Sequence, residues 1–227
     1  MLGEVGSGKA RARQRNFIGR GKAKSVVKAM NDLSLQGANV AKAETLFEFK
    51  TQAKPRISMN VEDVIKKIGD LAYYYELTYH GCSQCVLKAI QDSLNIGNSL
   101  TFKAATAFAG GVAEAGEICG ALIGGIMAIS LVFGRDRLED AMTSSGLLKA
   151  MELSIRLYEE FKKEFGSVKC HDIQKKLFGR SFNLRDEEDK RSFIEAGAHG
   201  PSGCPQVVRK GAMLAAKIIL ENLNLPR

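Results

Sequence analysis

An all-α fold, a compact bundle of about six to seven helices behind a basic N-terminal extension, follows from three observations. Apolar residues recur at helical spacing through most of the chain after residue 57, and no strand alternation of comparable strength appears. Helix-capping residues and glycines punctuate those stretches at their ends. Trp is absent and only four Pro occur, so few helix breakers interrupt the pattern.

Taken in order, residues 1–57 read as the extension and residues 58–227 as the helical domain. The net charge of +8 sits almost wholly in the first segment: residues 1–57 hold 12 Lys+Arg against 4 Asp+Glu, leaving 33 − 12 = 21 and 25 − 4 = 21 for the rest. A uniformly basic binding protein would not concentrate its charge this way. A short helix from about Lys22 to Leu33 is expected within the arm. The opening Gly3, then four residues, then Gly8-Lys9 nearly spells a phosphate loop. Ala10 stands where Ser or Thr would ligate magnesium, and no strand precedes the glycines. A flexible basic tail is the better reading. Its partner would be an acidic protein or a membrane surface, with nucleic acid not excluded.

The domain begins at Asn60, an N-cap followed by acids in the first turn, and Val61, Val64, Ile65, Ile68, Leu71, Ala72 and Tyr75 keep helical spacing up to His80-Gly81. A second helix starts near Ser83 and runs to about Leu94, and Asn95-Ile96-Gly97-Asn98 forms a turn. Thr101 to Val112 reads as one helical stretch ending at Gly110-Gly111. The most apolar helix spans about Glu117 to Phe133. It is short for a bilayer and is read as a buried helix. Leu147 to Phe165 is long and amphipathic. Cys170 to Leu177 is short, Asn183 to Lys190 reads as a solvated charged segment, Ser192 to Ala196 supplies a turn or two, and Pro205 to Leu223 closes the domain. No apolar region follows the early arginines as a secretory leader would require, so the cytoplasm is the expected compartment.

Five cysteines cannot all pair internally, and their wide spacing is unlike a small disulfide scaffold. Their placement is the informative feature. Cys82 follows Gly81, Cys119 follows Gly116-Glu117, Cys170 follows the break at Gly166, and Cys204 precedes Pro205 as an expected N-cap. Four cysteines thus fall at helix N-termini, where unpaired N–H groups and the dipole favour a thiolate. Thiolates are what metals and disulfide exchange require, and helix ends brought together would make a cysteine-lined pocket.

Cys82-Ser83-Gln84-Cys85 is a CxxC, readable as a dithiol pair, as two metal ligands on one helix face, or as a ligand plus a core residue beside Val86 and Ala89. All three histidines lie near a cysteine: His80, His171 and His199, which leaves mixed Cys/His ligation open. None is a fixed general base, so a hydrolytic cysteine nucleophile is not expected. Gly120 and Gly124 share a helix face and would let another helix or a cluster approach the backbone.

Cys119-Gly120-Ala121-Leu122-Ile123-Gly124 resembles the central element of the redox family named for its C_GCAxxG_C_C pattern. Cys82 within Gly-Cys-Ser-Gln-Cys-Val-Leu resembles that family's first cysteine, Phe108-Ala109-Gly110-Gly111 its glycine-rich approach, Cys170 its third cysteine, and Cys204-Pro205 its last. The likeness covers about residues 61–223. It departs at Ile118, where the pattern has Gly, in the extra Cys85 and in the added residues 1–57; no haem-attachment motif is present. The resemblance implies a helical, redox-active domain. A related domain in split-Soret-type cytochromes suggests an iron–sulfur centre. The expected ligands are Cys82, Cys119, Cys170 and Cys204, with Cys85 as a substitute and zinc as the alternative occupant. Electron transfer with a redox partner protein is then the expected role. Thiol–disulfide chemistry at Cys82/Cys85 or Cys119 is the second reading, a non-enzymatic helical interaction protein the third, and a homo-oligomer an expected assembly.

Overall fold

The computed structural model describes residues 60–223. The expected features of residues 1–57, including the Lys22–Leu33 helix and the near phosphate loop, lie outside the described residues. Eight α-helices make up the described part: α1 (Val61–Tyr79), α2 (Cys82–Leu94), α3 (Ser99–Ala104), α4 (Gly120–Phe133), α5 (Ser145–Phe165), α6 (Cys170–Phe178), α7 (Glu187–Glu195) and α8 (Cys204–Asn222). The described residues contain no strand, only an isolated antiparallel bridge between Ile118 and Lys169.

Local chemistry sets most boundaries. The Asn60 side chain accepts the Glu62 amide, Asn98 forms a full capping box with Thr101, Ser144 caps α5 and Asp186 caps α7. Glycines in the left-handed conformation end α5 at Gly166 and α6 at Gly179. The charged segment Asn183 to Lys190 is largely exposed as expected, and from Glu187 it enters a helix, because Asp186 followed by Glu187, Glu188 and Asp189 caps and complements the helix N-terminus.

The core is built by α1, α2, α4, α5 and α8, with α4 packed against α2, α5 and α8. Leu122, Ile129, Leu157, Phe161, Ile218 and Ile219 are among its fully buried side chains. Small residues let these helices close. A methyl at Gly124 would collide with the Ser83 carbonyl oxygen, and one at Gly125 would lie 2.8 Å from Leu157 Cδ2. A second, smaller cluster holds Phe182, Leu184, Phe193 and Ala198, with Phe178 and Cys204 against it. Phe193 meets Phe178 edge-on at 5.6 Å and Phe182 at 5.3 Å.

The stretch expected as one helix from Thr101 to Val112 departs from that reading. It divides into α3, a 3-10 turn over Thr106–Phe108, and a left-handed turn. Five consecutive residues of that turn have positive φ: Gly110 (65°), Gly111 (76°), Val112 (62°), Ala113 (50°) and Glu114 (61°). Left-handed backbone costs a non-glycine residue about 1–2 kcal/mol. Wide hydrogen bonds hold the turn, including Ala113 N–H to the Ala107 carbonyl (2.7 Å) and Glu117 N–H to that of Gly111 (3.0 Å). Lys190 on α7 pairs with Glu114 at 2.6 Å, and Arg185 Nε donates to the Ala113 carbonyl at 3.0 Å.

Candidate redox centre

Each of the four cysteines singled out by position sits at a helix start. Cys82 is the first residue of α2, Cys170 of α6 and Cys204 of α8, while Cys119 is the N-cap of α4. The expected N-cap role of Cys204 shifts by one place. Gly203 is the cap and Pro205 follows Cys204 inside the first turn. Gly203 is tightly seated: a methyl there would lie 2.5 Å from the carbonyl oxygens of both Gly197 and Ala198.

The helix starts converge. Cys82, Cys119, Cys170 and Cys204 line a single cavity of about 210 Å³. Backbone contacts fix their arrangement. Cys119 N–H donates to the Val168 carbonyl at 2.8 Å, Cys170 N–H to that of Glu117 at 2.6 Å, and His171 N–H to that of Gly116 at 2.9 Å, so the approach to α4 and the approach to α6 are clipped side by side. Cys204 N–H donates to the Ala198 carbonyl at 2.8 Å. Gly120 lies against the Cys82 sulfur, where a side chain would displace the thiol, and a methyl at Gly111 would lie 2.7 Å from Cys170 Cβ. The expected close approach at Gly120 and Gly124 is thus present, made by the start of α2.

Cys85 parts from this group. It is buried, its thiol donates to the His80 carbonyl at 3.2 Å, and it faces a second cavity with Tyr75, Tyr79 and Gln84. The two sulfurs of the CxxC therefore border different cavities. Among the histidines, His80 and His199 line the first cavity, and His171 instead pairs with Asp172 at 3.2 Å.

Burial overrides the helix termini in setting the charge of these thiols. Desolvation pushes Cys82 up to about 12, Cys119 and Cys204 well above the ordinary thiol value, and Cys170 and Cys85 upward as well. The Gly110 and Ser83 amides moderate the rise at Cys82, and Gln174, donating to Cys170 at 3.4 Å, does the same there. The Ala121 amide moderates the rise at Cys119 in the same way. The expected depression of these thiols is therefore corrected. Burial favours the neutral thiols, and at Cys119 the neighbouring Cys82, Cys170 and Cys204 raise the thiol further.

Three polar residues complete the site. Gln174 is buried, joins Cys170 to the Phe182 amide, and sits four residues beyond Cys170, a spacing that puts both on one helix face. Glu76 is 2% exposed and lines the cavity, and its Oε2 has no hydrogen-bond partner. Desolvation lifts its carboxyl to about 7, moderated by Cys85. Its signal in the sequence is the stripe Ile68, Ala72, Glu76, which continues the buried face of α1 at intervals of four. His199 lies 3.9 Å from the Glu76 carboxyl through Nδ1.

Among the described residues, no group of three or more His, Cys, Asp or Glu side chains is arranged to hold a single metal ion. No described helix is long and apolar enough to cross a membrane. No curated protein matches the chain, and no solved structure does. A family comparison matches residues 80–218 to the family described as "Putative redox-active protein (C_GCAxxG_C_C)". That span begins beside Cys82, holds all four cavity cysteines and covers more than half of the sequence: the chain belongs to the C_GCAxxG_C_C family.

Proposed function

We propose that the cavity takes an iron–sulfur cluster held by Cys82, Cys119, Cys170 and Cys204, and that the protein transfers electrons to or from a partner protein. The observation that carries this reading is the convergence of four thiols, from four separate helix starts, on one cavity. The donor chemistry fits a cluster, which is commonly held by four thiolates. A lone zinc ion would draw all four sulfurs to about 2.3 Å from one point. The four thiols here border a space of about 210 Å³ instead, which suits a larger, polynuclear group.

When bound, the cluster would supply one-electron chemistry. The chain's own residues prepare for it. Gly120 leaves room beside Cys82, the clip between residues 116–119 and 168–171 sets Cys119 beside Cys170, and Gln174 orients the Cys170 sulfur. Ile173, Leu177, Val207 and Val208 keep the walls apolar. Leu177 and Ile194 line the cavity yet are exposed, giving a docking protein an apolar edge near the centre. Thiol–disulfide exchange is less favoured, because thiols held neutral by burial are weak nucleophiles.

Purification without air, with iron, sulfide and zinc analysis, tests the proposal. The expected result is a coloured protein containing iron and acid-labile sulfide, both lost in Cys119→Ser. Colourless protein without iron would sink it.

A further inference from the structure

Residues 110–114 form a strained stretch that neither the core nor the proposed ligand set explains. All five have positive φ, and three of them, Val112, Ala113 and Glu114, are not glycine. A β-branched residue such as Val112 is a marked outlier in that region. Burial does not compensate, because Val112 is 37% exposed and Ala113 is exposed as well. Strain of this kind persists where the surroundings impose it, and it gathers at switches and ligand clamps.

Two contacts from the facing wall impose it here. Lys190 Nζ on α7 pairs with Glu114 at 2.6 Å, and Arg185 Nε, just ahead of α7, donates to the Ala113 carbonyl at 3.0 Å. Glu114 and Lys190 both line the cysteine cavity, yet their side chains are 41% and 39% exposed, so the pair stands where the cavity meets water. The two ends of the stretch are fixed differently. A methyl at Gly111 would lie 2.7 Å from Cys170 Cβ, and one at Gly116 would lie 3.3 Å from His171 Cβ. Residues 112–115 are thus a short, largely exposed flap between glycines seated against α6. Its outer edge is tied to the other wall by an ion pair and a hydrogen bond, contacts that are individually weak. The flanking glycines can absorb the backbone change of an opening.

We infer that residues 112–115 are a gate to the cysteine cavity, closed by the Lys190–Glu114 pair and the Arg185–Ala113 bond. When the two contacts break, Val112 and Ala113 can leave the left-handed region, and the strain released offsets part of what the contacts lose. The gate gives the cavity's occupant a way in and out without parting α2 from α4. It also ties access to ionic strength, since salt screens a half-exposed pair. The inference rests on the cavity having an occupant that enters from solvent, and its test needs no metal.

Alkylation of the reduced, metal-free protein with iodoacetamide, with mass mapping of each cysteine, tests the gate. Cys82, Cys119, Cys170 and Cys204 should react slowly in the wild type and about tenfold faster when Lys190→Met and Arg185→Met are combined. Cys85, which faces the other cavity, should keep its rate and serves as the internal control. Added salt should speed the wild type toward the double variant and have little effect on the variant itself. Val112→Gly should act in the opposite direction, slowing the four cysteines about two- to threefold. Glycine accepts the closed backbone without strain, and that relief outweighs the freedom it adds to the open flap. Unchanged rates at the four cysteines in the double variant overturn the inference. So does equal acceleration at Cys85, which would mean a general loosening of the fold, and so does faster labelling in Val112→Gly. Gated labelling in protein that takes up no iron supports the gate and overturns the cofactor reading instead.

Discussion

The cavity has two walls of different construction. Cys82 and Cys119 stand on the wall made by α2 and α4, where Gly120 and Gly124 bring backbone against backbone and the side chains behind are fully buried. Cys170 stands on a wall formed by α6, α7 and their connections, where Val168 and Ile173 reach the main core and the rest is backed by the small Phe178–Phe182–Phe193 cluster. That second wall is tied to the first by the backbone clip at Glu117 and Cys170 and by the exposed Lys190–Glu114 pair. One wall is set by close packing of the main core. The other is a light cover, and it gains most from whatever the cavity binds.

The strongest way to break this contrast is Phe193→Ala. Removing the centre of the aromatic cluster should cost about 4 kcal/mol. Hydrogen exchange should show the loss concentrated in residues 170–203, with α2 and α4 retaining their protection. Uniform loss would mean that the walls are a single unit.

Next comes the acid between them. The folded-state value of Glu76, about 7, lies above its ordinary 4.5, so its contribution is fully present below pH 4.5 and is lost as pH rises through 7. Denaturant unfolding should show wild type losing roughly 3 kcal/mol over that window, an upper figure set by the 1.36 kcal/mol per pKa unit. Glu76→Gln should remove this slope, because Gln carries no charge at any of these pH values.

Gly124→Ala probes the tight wall. Its methyl would meet the Ser83 carbonyl oxygen and lie 3.1 Å from Val86 Cβ, so overpacking of about 2 kcal/mol is expected despite alanine's better helix propensity. A variant as stable as wild type in urea would show that α2 and α4 can part cheaply. The smallest effect belongs to Lys190→Met. It breaks a half-exposed ion pair worth under about 1 kcal/mol. Thermal unfolding should barely move, while exchange should quicken in residues 110–114.

Much of this was legible in the sequence, for definite reasons. Breaks and caps at Gly81, Gly166 and Pro205 marked three of the cysteine helix starts, since backbone conformation at those points is dictated locally. Convergence was not legible, because it depends on the clip between Glu117 and Cys170 and on how α8 packs. The left-handed turn was hidden by Val112 and Ala113, residues that read as helix when only spacing is considered. Glu76 does not stand out in the sequence, because a carboxylate normally marks the solvated face, although its interval from Ala72 places it on the buried one. Thiol charge is hidden for a related reason: a helix terminus can be read from sequence, whereas the burial of its surroundings cannot.

The order of the helices along the chain has a consequence for how the protein is made. Cys82 lies on the second described helix and Cys204 on the last, with Cys119 and Cys170 between them. A chain leaving the ribosome therefore carries three of the four thiols before the helix that completes their enclosure has been synthesised. Until α8 docks against α1, α2, α4 and α5, those thiols lack the dry walls that keep them neutral. They are most reactive, and most open to the wrong oxidant or metal, during that interval. Docking of α8 both completes the packing of the described core and encloses the thiols.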